Sequence, residues 1–467
     1  MRAGATRDRR EEGAGAMKQP WELALADASE MIGKGTLSPV ELTRSVLDRI
    51  SVVEPHVLAW ARRLPEQAIA EAERLDWLLR QGTYLGPLHG IPLGIKDIYY
   101  TAGVETAAGS KVLAGFIPTF DATVVRRLQE AGTILLGKTA TTEFAYADPA
   151  ATRNPWNPGH TPGGSSSGSA AGVAAGMCLG AFGTQTMGSI VRPASFCGVV
   201  GLKPTYGRVS RHGIIPLAWS MDYPGPIAKT VRDTALLLSA VAGPDPHDSS
   251  AAGKPVPSYV EGLNMSPCGL TAGIPDRYFP ERSSPAVAAA FHEAVRVLET
   301  LGVRTHEVKL PDCFEAGVDA GRVIMHAEGA AFHRDWFKTR WEDYGRKLAG
   351  LIEAGLLIPA ASYLRAQQVR SLAIAAMRGL LTEVDVLITP STPGPAPEGL
   401  ASTGDPVFNA PSSIFGFPAL GLPMGVAPSG LPLGLQIMGR HFDERTVLRI
   451  GAAYEAATPW HEQRPPL

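Results

Sequence analysis

Residues 163–193 read GGSSSGSAAGVAAGMCLGAFGTQTMGSIVRP, with one serine-bearing, glycine-rich turn at 163–168 and a second at 184–189. Glycine lets the backbone adopt conformations that a side chain forbids and approach another group closely. Between the turns, the small and apolar residues from Ala170 to Met177 favour a short, buried helix that holds both turns on one support. A linker that needs only flexibility is not followed by so apolar a segment. We interpret the stretch as the frame of an active site.

A serine needs a positioned base before it acts as a nucleophile. Histidine is the usual base, but of the eleven histidines only His160 lies close in sequence to either turn. A lysine can replace it when burial and neighbouring groups lower its pKa. Lys96 lies among apolar residues in GIPLGIKD. A relay in which neutral Lys96 takes a proton from Ser165, and Ser165 takes one from Ser189, is chemically sensible, although the spacing alone does not establish it.

The second turn also offers backbone donors. Thr186, Met187, Gly188 and Ser189 follow one another in a tight turn, so their N–H groups are suited to stabilise an oxyanion. A purely structural turn is the alternative interpretation.

Helical patterns alternate with short apolar strands along the rest of the chain. Ser38-Pro39-Val40-Glu41 is a capping box with proline at the first helical position, so a helix is expected to begin there. The sequence predicts further helices at 65–82, 122–128, 232–241, 284–302 and over most of 319–381. It predicts strands at 134–138, 197–202, 270–274, 303–308, 384–388 and 433–438. This alternation indicates α/β layers around a sheet, and GPLHGIPLGIKDIYYTAG is expected to form a strand with an exposed turn.

Composition excludes several classes of function. A net charge of −2 gives no electrostatic case for nucleic acid or an anionic membrane surface. No apolar run approaches the roughly 20 residues of a membrane span. The four cysteines are widely spaced, which indicates reduced core thiols rather than disulfides or a zinc site: Cys178, Cys197, Cys268 and Cys313. We expect a cytoplasmic protein.

The first 16 residues, MRAGATRDRREEGAGA, are small and charged. They lack the apolar segment of a secretory signal, so we expect a disordered lead-in over 1–16, with Met17 as an alternative start. A single domain is expected over 17–467.

Five segments together resemble the amidase signature family of serine hydrolases. They are GIPLGIKD (90–97), NPGHTPGGSSSGSAAGVAAG (157–176), GTQTMGSIVRPA (183–194), GLKPTYGRVSRHG (201–213) and GLPLGLQIMGRHFDE (430–444). The resemblance spans roughly residues 20 to 445. It implies an α/β/α sandwich with a central mixed sheet flanked by helices, and hydrolysis through an acyl-enzyme without metal or organic cofactor.

The family pattern assigns the three catalytic positions of this sequence. The resemblance places the base on Lys96, the relay serine on Ser165 after a cis peptide, and the acylated serine on Ser189. The oxyanion hole falls on Thr186, Met187 and Gly188.

Two departures bear on the subgroup and the substrate. Gln185 stands where many members have aspartate, and Arg192 comes one residue later than their arginine. Met187 replaces a glycine beside the oxyanion hole, so its side chain is expected in the acyl or leaving-group pocket, with strain if φ is positive. Arg192 is expected to pair with an internal carboxylate.

One further position concerns the substrate. Arg370, in AQQVRSL, resembles a residue that grips the substrate carboxylate in the A component of glutamyl-tRNA amidotransferase. A structural ion pair is the alternative role for Arg370. The accompanying acidic position of that component aligns near Pro406, beside Asp405, which makes free glutamine a poorer substrate.

These observations predict an amidase that converts a small-molecule carboxylic amide to acid and ammonia or amine. Two alternatives stay open: the A component of a tRNA-dependent amidotransferase, and a catalytically weakened binding protein in which Met187 blocks the pocket. The expected partners are the small-molecule substrate and a second copy in a homodimer, with neither nucleic acid nor membrane.

Overall fold

One mixed sheet of eleven strands runs through the computed structural model, which describes residues 19–467. The strands are β1 (Trp60–Arg63), β2 (Pro92–Lys96), β3 (Ile134–Thr139), β4 (Gly180–Gln185), β5 (Val200–Lys203), β6 (Tyr223–Ala228), β7 (Thr271–Pro275), β8 (Arg304–Val308), β9 (Val386–Pro390), β10 (Ala419–Val426) and β11 (Pro432–Gly439). Their order across the sheet is β1-β3-β2-β4-β6-β5-β10-β11-β9-β7-β8. The expected α/β architecture with a central mixed sheet is confirmed.

Helices flank this sheet. They are α1 (Leu25–Gly33), α2 (Pro39–Val57), α3 (Pro65–Arg80), α4 (Thr123–Glu130), α5 (Ser167–Ala174), α6 (Val191–Cys197), α7 (Val231–Val241), α8 (Pro285–Thr300), α9 (Phe314–Arg340), α10 (Arg346–Leu356), α11 (Ala360–Glu383), α12 (Ala410–Phe415) and α13 (Glu444–Ala456). Helices α5 and α6 contact each other and the central strands, and α7 and α13 do the same as a separate pair. Helices α9, α10 and α11 pack mainly on one another.

The first predicted helix begins where its capping box indicated. Ser38 Oγ accepts a hydrogen bond from the Glu41 N–H at 3.0 Å, and Glu41 Oε2 accepts one from the Ser38 N–H at 2.9 Å. This reciprocal pair satisfies two amides that the first turn leaves without helical partners. The helix predicted between the two serine turns is confirmed as α5, which is buried from Ser167 to Val173.

Several elements escaped the sequence patterns. Strand β6 contains Pro224 and Pro226, residues that normally argue against a strand inside a sheet. It pairs with β5 only at Ile227 and Ala228, so the prolines lie where β6 is paired on the β4 side alone. Helix α6 covers Cys197, which the sequence assigned to a strand. The turn after β2, predicted to be exposed, is buried at Asp97, Ile98 and Tyr99.

All four cysteines are free thiols, as expected. Cys178 and Cys197 are buried, but Cys313 is partly exposed and Cys268 is exposed, so the prediction of core thiols is wrong for Cys268. The lead-in predicted over 1–16 lies outside the described residues, and the single domain over 17–467 stays a prediction.

Between residues 19 and 467, no single helix has the length and apolar character to cross a membrane. Helices α10 and α11 meet that test only when joined across a bend of 101°.

Candidate active site

The site lies where two parallel strands end. Strands β2 and β4 are parallel neighbours, and Lys96 and Gln185 are their last residues. The carboxyl ends of parallel strands meet at one edge of a sheet, where helices and turns can place functional side chains beside them. The turn that precedes α5 brings Ser165 to this edge, and the turn that follows β4 carries Ser189.

Lys96 is completely buried, and its amine is surrounded by hydroxyl groups. The Nζ atom lies 2.7 Å from Ser165 Oγ, 2.9 Å from Thr184 Oγ1 and 3.1 Å from Ser166 Oγ. Among residues 19–467, no carboxylate forms an ion pair with it within 4.0 Å. Burial holds the pKa of Lys96 well below that of a free lysine, and the more distant Asp222 charge only partly opposes this.

The hydroxyls around Lys96 identify the proton that Lys96 can accept. An ammonium donates three hydrogen bonds, whereas a neutral amine donates two and accepts one. Ser166 already donates its hydroxyl proton to the Thr184 carbonyl at 3.2 Å. The hydroxyls of Ser165 and Thr184 are therefore the two that can donate to a neutral Lys96, and Ser165 makes the shorter contact.

The turn at 186–189 presents unpaired donors. The backbone N–H groups of Met187, Gly188 and Ser189 donate no hydrogen bond to another of residues 19–467. The Ser189 side chain is 7% exposed and its hydroxyl has no hydrogen-bond partner there either. Hydrogen bonds that serve catalysis are often long in an unliganded site and tighten when substrate binds. This turn can therefore offer several donors to one anionic oxygen.

Gln185 and Ser413 hold this turn from one side. Gln185 Oε1 accepts hydrogen bonds from the Ile190 and Val191 N–H groups at 2.9 and 3.0 Å. Its Nε2 donates to Ser413 Oγ at 2.8 Å, and that hydroxyl donates to the Met187 carbonyl at 3.1 Å. Gln185 thus accepts hydrogen bonds from the backbone N–H groups at the start of α6. This role needs only a side-chain oxygen, which glutamine supplies as aspartate does.

Asp222 holds the same turn from the other side. Thr186 Oγ1 donates to Asp222 Oδ1 at 2.5 Å, and the Leu217 and Ala218 N–H groups donate to Oδ2 at 2.9 and 3.0 Å. Burial raises the pKa of Asp222 to about 6, although these hydrogen bonds favour the carboxylate and oppose the rise.

Met187 fits the turn without a strained backbone. It is not among the six non-glycine residues with positive φ between 19 and 467, so the condition under which strain was expected is not met. Its half-buried side chain packs against the hydrophobic core. Gly188 is the tighter position, because a Cβ atom there would lie 2.9 Å from Asn409 Oδ1 and 3.1 Å from Pro406 Cβ and would displace the Asn409 side chain.

The first turn is held by Arg192. The Gly164–Ser165 peptide bond is cis. Arg192 Nη2 donates to the Gly164 carbonyl at 2.6 Å, and Nη1 donates to the Gly404 carbonyl at 2.6 Å. Arg192 forms no ion pair within 4.0 Å among the described residues, so the expected carboxylate partner is replaced by carbonyl oxygens. Arg192 therefore links the turn that contains Ser165 to the loop before α12.

The amidase family model matches residues 41–448. This chain belongs to the amidase family. The A component of the glutamyl-tRNA(Gln) amidotransferase of Chloroflexus aggregans is 42% identical, and the alignment covers 95% of this chain and 98% of that protein. The native peptide amidase of Stenotrophomonas maltophilia is 34% identical with a TM-score of 0.82, covering 96% and 98% of the two chains. The corresponding amidotransferase component of Thermotoga maritima is 32% identical with a TM-score of 0.81, covering 94% and 96%.

Within this amidase-family fold, the Arg370 guanidinium donates hydrogen bonds to other groups of the protein. Its Nε donates to the Ile414 carbonyl at 2.6 Å, Nη2 to the Ser220 carbonyl at 2.9 Å and Nη1 to Ser220 Oγ at 3.2 Å. The residue is 9% exposed. None of these contacts is an ion pair, so the alternative role of Arg370 in a structural ion pair is not seen. The binding of a substrate carboxylate by Arg370 stays a prediction.

The neighbourhood of Pro406 lacks an inward-facing acid. Pro406 approaches Gly188, whereas Asp405 is exposed and its Oδ1 accepts the Val407 N–H at 2.9 Å. A proline ring therefore lies beside the 186–189 turn at this position.

Sequence reasoning missed several residues of the site. Thr184 lies inside the quoted stretch, in the GTQT segment that carries part of the resemblance, and its place in that segment is a usable signal. Asp222 lies 36 residues beyond Thr186 and Ser413 lies 226 beyond Met187, so only the tertiary fold brings them to the turn. No group of three or more metal-ligating side chains occurs within residues 19–467.

Proposed function

We propose that this protein is an amidase that hydrolyses a neutral carboxylic amide through an acyl-enzyme on Ser189. One observation carries the proposal: Lys96 is a buried amine with hydroxyl groups as partners and no contacting carboxylate. Burial without a paired charge favours the neutral amine, so such a lysine is suited to act as a base. Lys203 is equally buried, but its Nζ donates to the Pro204 carbonyl and to no hydroxyl group among residues 19–467, so the surrounding hydroxyls are what distinguish Lys96.

The proposed reaction has two halves that share one relay. Ser189 Oγ bonds to the amide carbon while its proton passes to Ser165 and the Ser165 proton passes to Lys96. The N–H groups of the 186–189 turn, from Thr186, Met187 and Gly188 to Ser189, stabilise the oxyanion. The proton then returns through Ser165 to the leaving nitrogen as the C–N bond breaks. Water attacks the acyl ester by the same relay and releases the acid.

The proposed substrates carry no charged group next to the amide. An α-amino acid substrate would need an arginine for its carboxylate and an acidic residue for its amine, and in this site the arginine is occupied and the acid is missing. Arg370 donates to Ser220 and Ile414, and Pro406 lies where the resemblance places an acid.

Ammonia release from a panel of primary amides tests the proposal. We expect turnover of neutral aliphatic or aromatic amides by the wild type, weaker turnover of glutamine, and loss of both in Ser189→Ala by about 10³-fold or more. Ser195→Ala is the matched control, because Ser195 is a buried serine of α6 that lies outside the proposed relay. Full activity in Ser189→Ala would overturn the mechanism.

The second candidate function is that of the A component of an amidotransferase. It is favoured by the 42% identity to the Chloroflexus aggregans protein over 98% of that protein. Under this alternative, glutamine would be the preferred amide in the same panel, and the protein would purify in a stable complex with other proteins. Ligand binding without any amide turnover would favour the third possibility, a catalytically weakened binding protein.

A further inference from the structure

Two side chains hold the proposed oxyanion turn, and one buried arginine contacts a residue close to each of them. The first support is Asp222, which accepts from Thr186. The second is Ser413, whose hydroxyl donates to the Met187 carbonyl. Neither Asp222 nor Ser413 is adjacent in sequence to the turn, so other contacts must fix the positions of these two residues relative to each other.

The loop that bears Asp222 is anchored at Ser220. Arg370 donates to the Ser220 carbonyl at 2.9 Å and to its hydroxyl at 3.2 Å. Glu328 Oε2 accepts the Ser220 N–H at 3.0 Å, and Glu328 Oε1 accepts from the Tyr363 hydroxyl at 3.1 Å. Ser220 is therefore held through its carbonyl, its hydroxyl and its N–H. A charged arginine and a carboxylate supply those contacts, which are stronger than neutral hydrogen bonds.

The support that bears Ser413 is anchored at the next residue. Arg370 Nε donates to the Ile414 carbonyl at 2.6 Å. The Ser413 hydroxyl accepts a hydrogen bond from Gln185 Nε2, and the Ser413 carbonyl accepts one from the Tyr223 hydroxyl. A single guanidinium thus fixes the spacing between the Asp222 loop and the end of α12.

We propose that Arg370 is a positioning residue for the oxyanion turn: it clamps Ser220 and Ile414, and through Asp222 and Ser413 it sets the orientation of the donors at 186–189. This inference rests on the proposed function, because the turn has this role only if Ser189 is acylated. The planar fork of arginine serves both clamped segments at once, which a lysine cannot do.

The positioning role and a substrate-anchoring role predict different kinetics. A residue that grips a substrate carboxylate affects only substrates that carry one, and mainly through KM. A residue that orients the oxyanion donors affects every amide, and through kcat, because those donors act in the transition state.

The experiment compares Arg370→Gln and Arg370→Lys with wild type on two matched amides, one neutral and one bearing an α-carboxylate. We expect kcat to fall about ten- to a hundredfold in Arg370→Gln on both amides, with KM within about twofold of wild type. Arg370→Lys, which keeps the charge without the fork, should show a smaller fall in kcat on both amides. Arg378→Gln is the control, since Arg378 lies two turns further along α11, is exposed, and contacts His441.

Phosphonylation of Ser189 by a small fluorophosphonate gives a second readout that needs no substrate. Its rate should fall in Arg370→Gln and not in Arg378→Gln. A wild type that is not labelled at Ser189 would overturn the proposed function and this inference with it. A labelled wild type with an equally fast Arg370→Gln, or a loss confined to the KM of the carboxylate-bearing amide, would overturn the positioning role alone. If Arg370→Gln does not fold, Arg370→Lys decides by the same criteria.

Discussion

Lys96 is the residue on which the proposed chemistry depends. Its burial lowers its pKa, and its closest hydroxyl contact is Ser165. Because a base works in its unprotonated form, kcat/KM is expected to rise with pH through the lowered Lys96 pKa and then to level off. The plateau should be reached well below the ordinary lysine pKa of 10.5.

Lys96→Met tests both the chemistry and the cost of burying the amine. The substitution should lower kcat/KM about 10³-fold or more, since it removes the proposed base. The unfolded chain holds the Lys96 proton up to its ordinary pKa and the folded chain releases it earlier, so wild-type stability rises with pH between those values. In Lys96→Met, the slope of the free energy of unfolding against pH should be smaller than in the wild type by up to about 1.4 kcal/mol per pH unit.

Urea denaturation at a series of pH values, with activity measured in parallel, provides the check. An unchanged pH slope in Lys96→Met would mean that the lysine is charged in the folded protein. Lys111→Met serves as the control, because Lys111 is an exposed lysine.

Helix α5 is the element that holds the first turn against the sheet. At Gly168 a Cβ atom would lie 2.1 Å from the Ala59 carbonyl oxygen and 2.4 Å from the Ala140 nitrogen. At Gly172, one turn later, the nearest atom would be Cys178 Sγ at 3.6 Å. The same helix therefore contains one glycine that the packing requires and one that it does not.

Alanine substitutions at these two glycines should have opposite effects. Gly168→Ala must displace α5 from the backbone of its neighbours, so we expect a loss of about 3 kcal/mol or more in the free energy of unfolding and reduced activity. Gly172→Ala should gain about 0.5–1 kcal/mol from helix propensity. Chemical denaturation of the two variants makes the comparison. Equal effects would show that the close approach at Gly168 does not constrain the helix.

The elements that sequence patterns predicted are those with local signals. The capping box of Ser38 and Glu41 marked the start of α2, and the small residues after Ser169 marked α5. Strand β6 was missed because its prolines contradict the usual strand pattern. The contact of Lys96 with Ser165 follows the resemblance to the amidase signature family, whereas the supports at Asp222 and Ser413 depend on long-range packing that no local pattern records.

At the scale of the whole molecule, one sheet joins distant parts of the chain. Strand β5 pairs with β10, which lies more than 200 positions further along the chain, and the Asp233 carboxylate accepts the Ala26 N–H at 2.8 Å. Such pairings couple both halves of the chain through a continuous core, which favours a single cooperative unit.

We therefore predict one unfolding transition for the chain. Far-UV circular dichroism and tryptophan fluorescence should give coincident denaturation curves, as two-state unfolding requires. Two separated transitions would contradict the single domain predicted over 17–467. The eight tryptophans are spread from Trp21 to Trp460, so fluorescence reports on both halves.

Intact mass after incubation with a small fluorophosphonate shows whether Ser189 is an activated nucleophile. We expect one adduct on the wild type, mapped to the Ser189 peptide, absent from Ser189→Ala and formed much more slowly in Lys96→Met. An unmodified wild type, or an adduct that persists in Ser189→Ala, would contradict this expectation.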